Sequence, residues 1–149
     1  MNKPKQVETG FQIFTEIGII HQLAKTAVEG SMPDKLRWSH FVVLSHFIRR
    51  PQEQSPSHLA AAFQVTNAAM TNTLNKMQKW GYITIRPNPK DSRAKLVCLT
   101  DAGKNAHQQT LAAISPLVQN MLADIPAHTL VVLKTTLAEL RQQMDAARD

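Results

Sequence analysis

Apolar residues recur at every third or fourth position along most of the chain, which is the spacing of amphipathic helices. The first such stretch covers residues 7–29, and the second covers about 36–49. The apolar face of the first is wider than a helix resting on one core needs. The second ends at Arg49-Arg50-Pro51, because the proline ring clashes with a continuing helix. The N-terminal third is therefore predicted to form two helices.

Two further helices, joined by a tight turn, are predicted next. Ser55 is a favourable N-cap and Pro56 suits a first helical position, so a short helix begins there. After the turn at residues 64–66, a longer helix spans 67–80 and ends at Gly81. Its buried side is predicted to carry Ala69, Met70, Leu74 and Met77. Two helices in this arrangement are typical of a helix-turn-helix.

After Gly81 the apolar spacing changes from helical to alternating, which indicates extended strands. Residues 82–86 and 94–99 are the predicted strands, and the polar stretch 87–93, stiffened by two prolines, is the predicted hairpin tip. Thr100 is a candidate N-cap for the next helix. A hairpin directly after a helix-turn-helix is a wing. The predicted fold class is therefore mainly α with a small β-wing, a winged helix-turn-helix.

The C-terminal third is predicted to be helical in two pieces separated by Pro126, with Pro116 kinking or restarting the first. The second piece carries an apolar stripe, and such a stripe usually packs against another chain. Packing against the chain's own first helix is the alternative, and both hold if the terminal helices of two subunits intertwine. The predicted dimer interface consists of Phe11, Phe14, Leu130, Leu133, Leu137, Leu140 and Met144.

Positive charge is concentrated in the middle third of the chain. The formal net charge is +6, and residues 49–95 hold eight basic side chains against two acidic ones, Glu53 and Asp91. The flanking thirds are nearly balanced. A localised basic segment is expected where a protein faces a polyanion, and a solvated basic surface without a partner is the alternative.

Length and composition narrow the class of protein further. A chain of 149 residues is expected to form one domain, 1–149. No apolar run is long enough for a membrane span, and the first residues lack a secretory signal, so a cytoplasmic protein without membrane contact is predicted. The single cysteine, Cys98, fits a reducing compartment and a spectator thiol. Scattered histidines predict no metal site or cofactor, and the common catalytic motifs are missing, so no enzyme is predicted.

Two stretches resemble the MarR (multiple antibiotic resistance regulator) family. Residues 66–83 resemble its recognition helix and the entry to its wing, and residues 91–103 resemble its wing signature, D-x-R-x-x-x-[VL]-x-L-T-x-x-G. Helix order and length also match over nearly the whole chain. The resemblance implies a dimer built from terminal helices at about 7–30 and 101–147. Each subunit would carry a winged helix-turn-helix lobe at about 36–100.

The predicted DNA-binding residues lie on the recognition helix, on its approach and on the wing. They are Ser55, Thr66, Asn67, Ala68, Thr71, Asn72, Lys76, Lys90, Asp91 and Arg93. Asparagine can pair with adenine, and alanine or threonine methyl groups can touch thymine, so an A/T-rich half-site is expected. Arg93 is predicted to enter the minor groove, with Asp91 orienting it or capping the hairpin backbone. Asn67 could instead be a plain cap, and Asn72 stands where many family members carry arginine, which leaves the operator sequence open.

The resemblance implies a sequence-specific transcription regulator that binds a palindromic operator in double-stranded DNA as a homodimer. It further implies a repressor released by a small aromatic effector, because family members often bind such molecules between the dimer helices and the DNA lobe. His21, Trp38, His40 and Phe41 are the candidate pocket residues, with the plain core of that junction as the alternative. The alternative function is a winged-helix module that binds DNA non-specifically or binds a protein partner.

Overall fold

The computed structural model describes residues 2–33 and 35–147. Within them, six helices and one two-stranded antiparallel sheet follow in the order α1 Lys3–Ser31, α2 Trp38–Arg49, α3 Pro56–Ala62, α4 Asn67–Lys79, β1 Ile83–Asn88, β2 Asp91–Leu99, α5 Asp101–Met121 and α6 Ala127–Ala146. The residues up to Ile114 form one compact unit and those from Ser115 form a second. The predicted fold class, a mainly helical winged helix-turn-helix, is confirmed.

Helix α1 is longer than its apolar pattern predicts, because it begins at a polar cap. The side-chain oxygen of Asn2 accepts a hydrogen bond from the backbone N–H of Lys5, at 3.2 Å, and Pro4 occupies an early position where no N–H is needed. The apolar face that predicts the helix starts only at Val7. Periodicity therefore finds the helix but not its first turn.

Helix α2 begins at Trp38, not near residue 36. The backbone N–H of Trp38 donates to Oε1 of Glu29 at 2.7 Å, and that of Arg37 donates to Nδ1 of His40 at 3.0 Å. These side chains satisfy N–H groups that would otherwise have no partner at the helix start. Leu36 lies outside the helix but is buried.

The wing is longer than predicted, and its turn is shorter than the predicted tip of 87–93. Strand pairing continues to Asn88 and Asp91, with an irregularity at Pro87, so only two residues form the turn. The side chain of Asn88 accepts a hydrogen bond from the backbone of Lys90, at 3.0 Å. Side-chain hydrogen bonds of this type stabilise tight turns. The two prolines of the stretch do not by themselves indicate how short the turn is.

The junction between wing and α5 is closely packed. Thr100 caps α5 as predicted, because its Oγ1 accepts from the backbone of Gly103 at 3.0 Å and donates to the carbonyl of Gly81 at 2.6 Å. A Cβ on Gly103 would lie 2.2 Å from the carbonyl oxygen of Tyr82, so no side chain fits there. Helix α5 then runs through Pro116 without restarting, contrary to one expectation.

The core of the first unit lies among α2, α3, α4 and the base of the wing. Leu44, Leu59, Met77 and Val97 come from these four elements, and all are fully buried. The predicted buried side of α4 is correct for its leucine and two methionines but wrong for Ala69, which is exposed. A step of one residue turns the helix by about 100°. Ala69 therefore points away from its neighbour Met70.

The terminal helices carry most of the exposed apolar side chains. On α1 they include Phe11, which is 70% exposed, and Phe14. On α6, Leu133, Leu137 and Met144 are exposed, while Leu130 and Leu140 are half-buried. None of the helices in the described part of the chain is long and apolar enough to cross a membrane.

Candidate nucleic-acid interface

Helix α4 starts at a side-chain cap. Oγ1 of Thr66 accepts a hydrogen bond from the backbone N–H of Ala69 at 3.1 Å. Gln64, in the turn before it, has a left-handed backbone with φ 53°. Asn67 is therefore the first residue of the helix, and the alternative that it serves as the cap is wrong. Its amide is left available for another partner.

The first two turns of α4 present a row of small and amide side chains away from the core. Asn67, Ala68, Thr71, Asn72 and Lys76 are all exposed. By helical periodicity, Ala68 and Asn72 lie opposite the three buried residues of α4, and Asn67 and Thr71 lie at the flank of that surface. A helix in a helix-turn-helix offers this part of its surface to the edges of base pairs.

Ser55 lies at the start of α3, where its hydroxyl caps the helix. Its Oγ accepts from the backbone of His58 at 3.1 Å and lies at the same distance from Oγ of Ser57. The side chain is half-buried. Capping gives Ser55 a structural function, and its single hydroxyl proton can go to a further group only when Ser57 is the donor in their contact.

Arg93 lies near the wing tip, and its side chain is exposed to solvent. The carboxylate of Asp91 accepts the backbone N–H of Arg93 at 3.0 Å, whereas the guanidinium Nε lies 4.0 Å from the same oxygen. The Arg93 side chain is 95% exposed. Asp91 thus caps the hairpin backbone and barely restrains the guanidinium. Lys90, in the turn, is exposed as well.

The wing also carries an ion pair that the sequence does not predict. Nε of Arg86 donates to Oε1 of Glu53 at 3.0 Å, and Nη2 contacts both carboxylate oxygens. These hydrogen bonds and one from the thiol of Cys98 lower the pKa of Glu53. Burial and then Glu53 raise the pKa of Cys98, which disfavours a reactive thiolate. The Arg86 guanidinium is therefore held by direct hydrogen bonds to a carboxylate, whereas that of Arg93 has only a 4.0 Å contact.

A cleft of about 200 Å³ separates the second half of α4 from the wing. Asn75 and Gln78 line it on the helix side, and Arg93 and Lys95 line it on the wing side. Asn75 and Gln78 were missed as candidate site residues. Asn75 follows Asn72 by three positions on the same helical face, so helical periodicity could have found it.

The candidate effector residues divide into two groups. His21 and Phe41 each contact Trp38, with ring centroids 5.8 and 6.4 Å away, and Phe41 stacks on His107 at 5.3 Å. The ring of His40 is instead buried against Trp80 of the helix-turn-helix, at 4.8 Å. The structure therefore places His40 apart from the aromatic cluster. His107 joins the cluster from α5, far along the chain.

Two buried histidines in this region favour the neutral form. Burial, followed by the charges of Lys76 and Arg37, lowers the pKa of His40 against a smaller opposing effect of Glu29. Burial and the charge of Arg49 lower the pKa of His107. Among residues 2–33 and 35–147, no group of three or more potential ligands could hold a metal ion.

The fold, with its exposed helix α4 and two-stranded wing, defines a winged helix-turn-helix protein. A family model described as the MarR family matches residues 35–94, which span α2 to the wing. The resemblance predicted from the recognition helix and the wing signature is confirmed. The chain has the fold of MarR-family transcription regulators.

Solved structures with this fold cover nearly the whole chain. The transcriptional regulator BldR from Sulfolobus solfataricus matches with a TM-score of 0.76 and 22% identity, over 93% of this chain and 99% of that one. A mutant MarR from E. coli complexed with operator DNA gives 0.72 and 20%, over 94% and 99%. A MarR-family transcriptional regulator from a Rhodococcus species gives 0.77 and 17%, over 88% and 94%. At these identities the likeness establishes the fold.

Proposed function

We propose that this protein is a sequence-specific regulator of transcription that binds double-stranded DNA. The observation that carries the proposal is that α4 has a row of exposed small and amide side chains and that the wing beside it has an exposed arginine. Thr71 and Asn72 lie on that row, and Arg93 is the wing arginine. Both features occur in the segment that holds the chain's excess positive charge.

The geometry suits simultaneous binding to two grooves. The start of α4 would enter the major groove, where Asn67 or Asn72 pairs with adenine and the methyl groups of Ala68 and Thr71 contact thymine. Arg93 would enter the adjacent minor groove, which is most electronegative where it is narrow. Lysines at the end of α4 and at the wing tip would contact phosphates, which position the protein without selecting a sequence.

The acting species would be a homodimer on a palindromic operator. Many apolar residues of α1 and α6, among them Phe11 and Leu133, are exposed in the single chain, and a twofold-related copy would cover them. In a symmetric dimer the two α4 helices read inverted half-sites about one helical turn apart. The E. coli protein with this fold was solved with operator DNA, which supports the same class of ligand here.

We also propose that the protein is a repressor released by a small aromatic effector. The cluster of His21, Trp38 and Phe41 supports this part, since its edge-on and tilted rings offer faces for a further aromatic ring. Trp38 is half-buried and His21 exposed, so the cluster can be reached from solvent. Effector binding would shift the population of lobe arrangements away from the one that fits the operator.

Selection from a random duplex DNA pool tests the proposed function. The purified protein should enrich an inverted repeat of A/T-rich half-sites. Its affinity for that duplex should fall steeply with salt because phosphate contacts release counterions. A pool that stays unenriched, with binding that disappears at physiological salt, would favour the alternative of a non-specific or protein-binding winged helix.

Titration of the selected complex with small phenolic acids tests the effector. The aromatic cluster is supported as the site if the phenolic acid releases the labelled duplex from the wild type but no longer releases it from Trp38→Leu. Trp80→Leu is not a usable control, because Trp80 packs on His40. Phe63→Leu, at another ring contact of the lobe, is the matched variant and should still respond.

A further inference from the structure

Glu53 connects the segment before α3 to both strands of the wing. Its carboxylate accepts hydrogen bonds from the guanidinium of Arg86 on β1 and from the thiol of Cys98 on β2, the latter at 2.8 Å. The guanidinium engages both carboxylate oxygens, which fixes its orientation as well as its distance. Charge-assisted contacts to two strands restrain the wing more than an ordinary exposed ion pair does.

The neighbouring residue, Gln54, continues the attachment through the backbone. Its N–H and carbonyl pair with Val97 in β2, at 3.3 and 2.9 Å, so it acts as a one-residue third strand. Its side-chain oxygen lies 2.9 Å from Nε2 of His46 in α2. Residues 53 and 54 therefore join the wing to the helical core at a point far from the wing tip.

We propose that Glu53 is a positioning residue for DNA recognition: it holds the wing at the angle to α4 that lets Arg93 reach DNA while α4 reads bases. The inference rests on the proposed function. A two-stranded hairpin alone is marginally stable, so its direction depends on such attachments. Glu53 also pairs the charge of Arg86, which would otherwise contact phosphate and strengthen binding to any sequence.

Removing Glu53 and removing Arg86 are expected to change DNA binding in different ways. Glu53→Gln keeps the shape of the side chain but frees Arg86, so the ratio of specific to non-specific affinity should fall about tenfold, the loss of roughly one contact. Its salt dependence should steepen by about one unit of slope. Arg86→Gln should lower the same ratio without steepening the slope, because the charge it frees is the Glu53 carboxylate, which cannot contact phosphate.

A charge-swapped double variant distinguishes the effect of wing positioning on specificity from the effect of the net charge. Glu53→Arg with Arg86→Glu has the net charge of the wild type and can form the pair in reverse, so it should recover most of the specificity that Glu53→Gln loses. Glu139→Gln, on α6, removes the same charge elsewhere and should leave the ratio unchanged. Amide exchange without DNA should show faster exchange at Val97 in Glu53→Gln, because the strand attachment loosens.

The outcomes distinguish this inference from the proposed function. A wild-type protein that selects no sequence overturns both. A wild-type protein that selects a sequence, with Glu53→Gln folded by circular dichroism and retaining the wild-type specificity ratio, overturns the positioning role alone. Failure of the double variant to recover specificity also overturns it when each single variant folds and loses specificity.

Discussion

The helix-turn-helix lobe buries its large apolar residues, whereas the terminal helices expose many of theirs. In the lobe, Leu44, Leu59 and Val97 have no exposed surface, whereas on the terminal helices Phe11 is 70% exposed and Leu133 is 49% exposed. Burying apolar surface is favourable by about 25 cal/mol per Å². The lobe thus completes its core within one chain, while the terminal helices leave apolar surface exposed.

The same contrast holds for function as proposed here. The lobe carries the exposed polar row of α4 and Arg93, which would bind DNA, and the terminal helices carry the surface that would pair subunits. If the two regions are independent in this way, each can be impaired without the other. The four experiments below test that separation.

The largest effect is expected from Leu137→Asp on the apolar stripe of α6. A charge buried in the proposed interface should weaken dimerisation about a hundredfold or more. Sedimentation equilibrium measures it, and Gln142→Asp, which adds the same charge to an exposed polar position, is the control. A Leu137→Asp dimer as tight as the wild type would show that this stripe is not the interface.

Gly103→Ala should be the most damaging small change at the junction between the wing and α5. Its Cβ would overlap the Tyr82 carbonyl oxygen and the Leu99 side chain, so the free energy of unfolding should fall by about 3 kcal/mol. Gly30→Ala, where a Cβ meets nothing within 4 Å, should cause no loss. Urea unfolding compares the two, and equal stability would contradict the tight junction.

Arg93→Ala should weaken DNA binding and leave both the fold and the dimer intact. One lost groove contact corresponds to about 1–3 kcal/mol, or roughly 5- to 150-fold in affinity. Titration of the selected duplex at physiological salt measures the loss. Arg141→Ala removes the same charge from α6 and should bind as the wild type does. Unchanged affinity in Arg93→Ala would refute the proposed contact of the wing with DNA.

The smallest effect is a pH dependence of lobe stability that arises from His40. Its pKa is lowered in the folded state, mainly by burial, from an ordinary value of 6.5. The stabilisation is therefore complete above that value and is lost as the pH falls through it toward the folded pKa. Protonation would also place a hydrogen on Nδ1, which accepts from the backbone of Arg37.

Urea unfolding at about pH 7.5 and about pH 5.5 measures this dependence, since the window brackets the ordinary histidine value. His40→Gln should reduce the loss of stability at the lower pH. His107 shifts in the same direction, so part of the loss should remain. His128→Gln, exposed on α6, should behave as the wild type, and an identical profile for His40→Gln would contradict the assignment.

Much of the lobe was predictable because its boundaries are set by local contacts. Ser55 caps α3 and Thr100 caps α5 through hydrogen bonds that span three residues, and Gly81 ends the recognition helix with a φ of 76°. Residue type at fixed spacing reveals such features. The errors arose where a distant group decides: Glu29 defines the start of α2 from the end of α1.

The candidate site was predictable to the same degree. The exposed residues of α4 follow from helical periodicity, and the capping function of Asp91 follows from its two-residue spacing to Arg93. Asn75 was accessible to the same reasoning. The packing of His40 on Trp80 depends on how α2 crosses the helix-turn-helix, which no local pattern encodes.

The sequence by itself determined the helices, the wing, the family resemblance and the concentration of basic residues between 49 and 95, because each depends on residues a few positions apart. Only the tertiary structure decided which of those basic residues are available. Arg86 is paired with Glu53, 33 residues earlier, whereas Arg93 extends into solvent. Both are arginines in one hairpin. They differ because folding brings the Glu53 carboxylate into hydrogen bonds with the Arg86 guanidinium, whereas the Asp91 carboxylate bonds the backbone of Arg93 and stays 4.0 Å from its guanidinium.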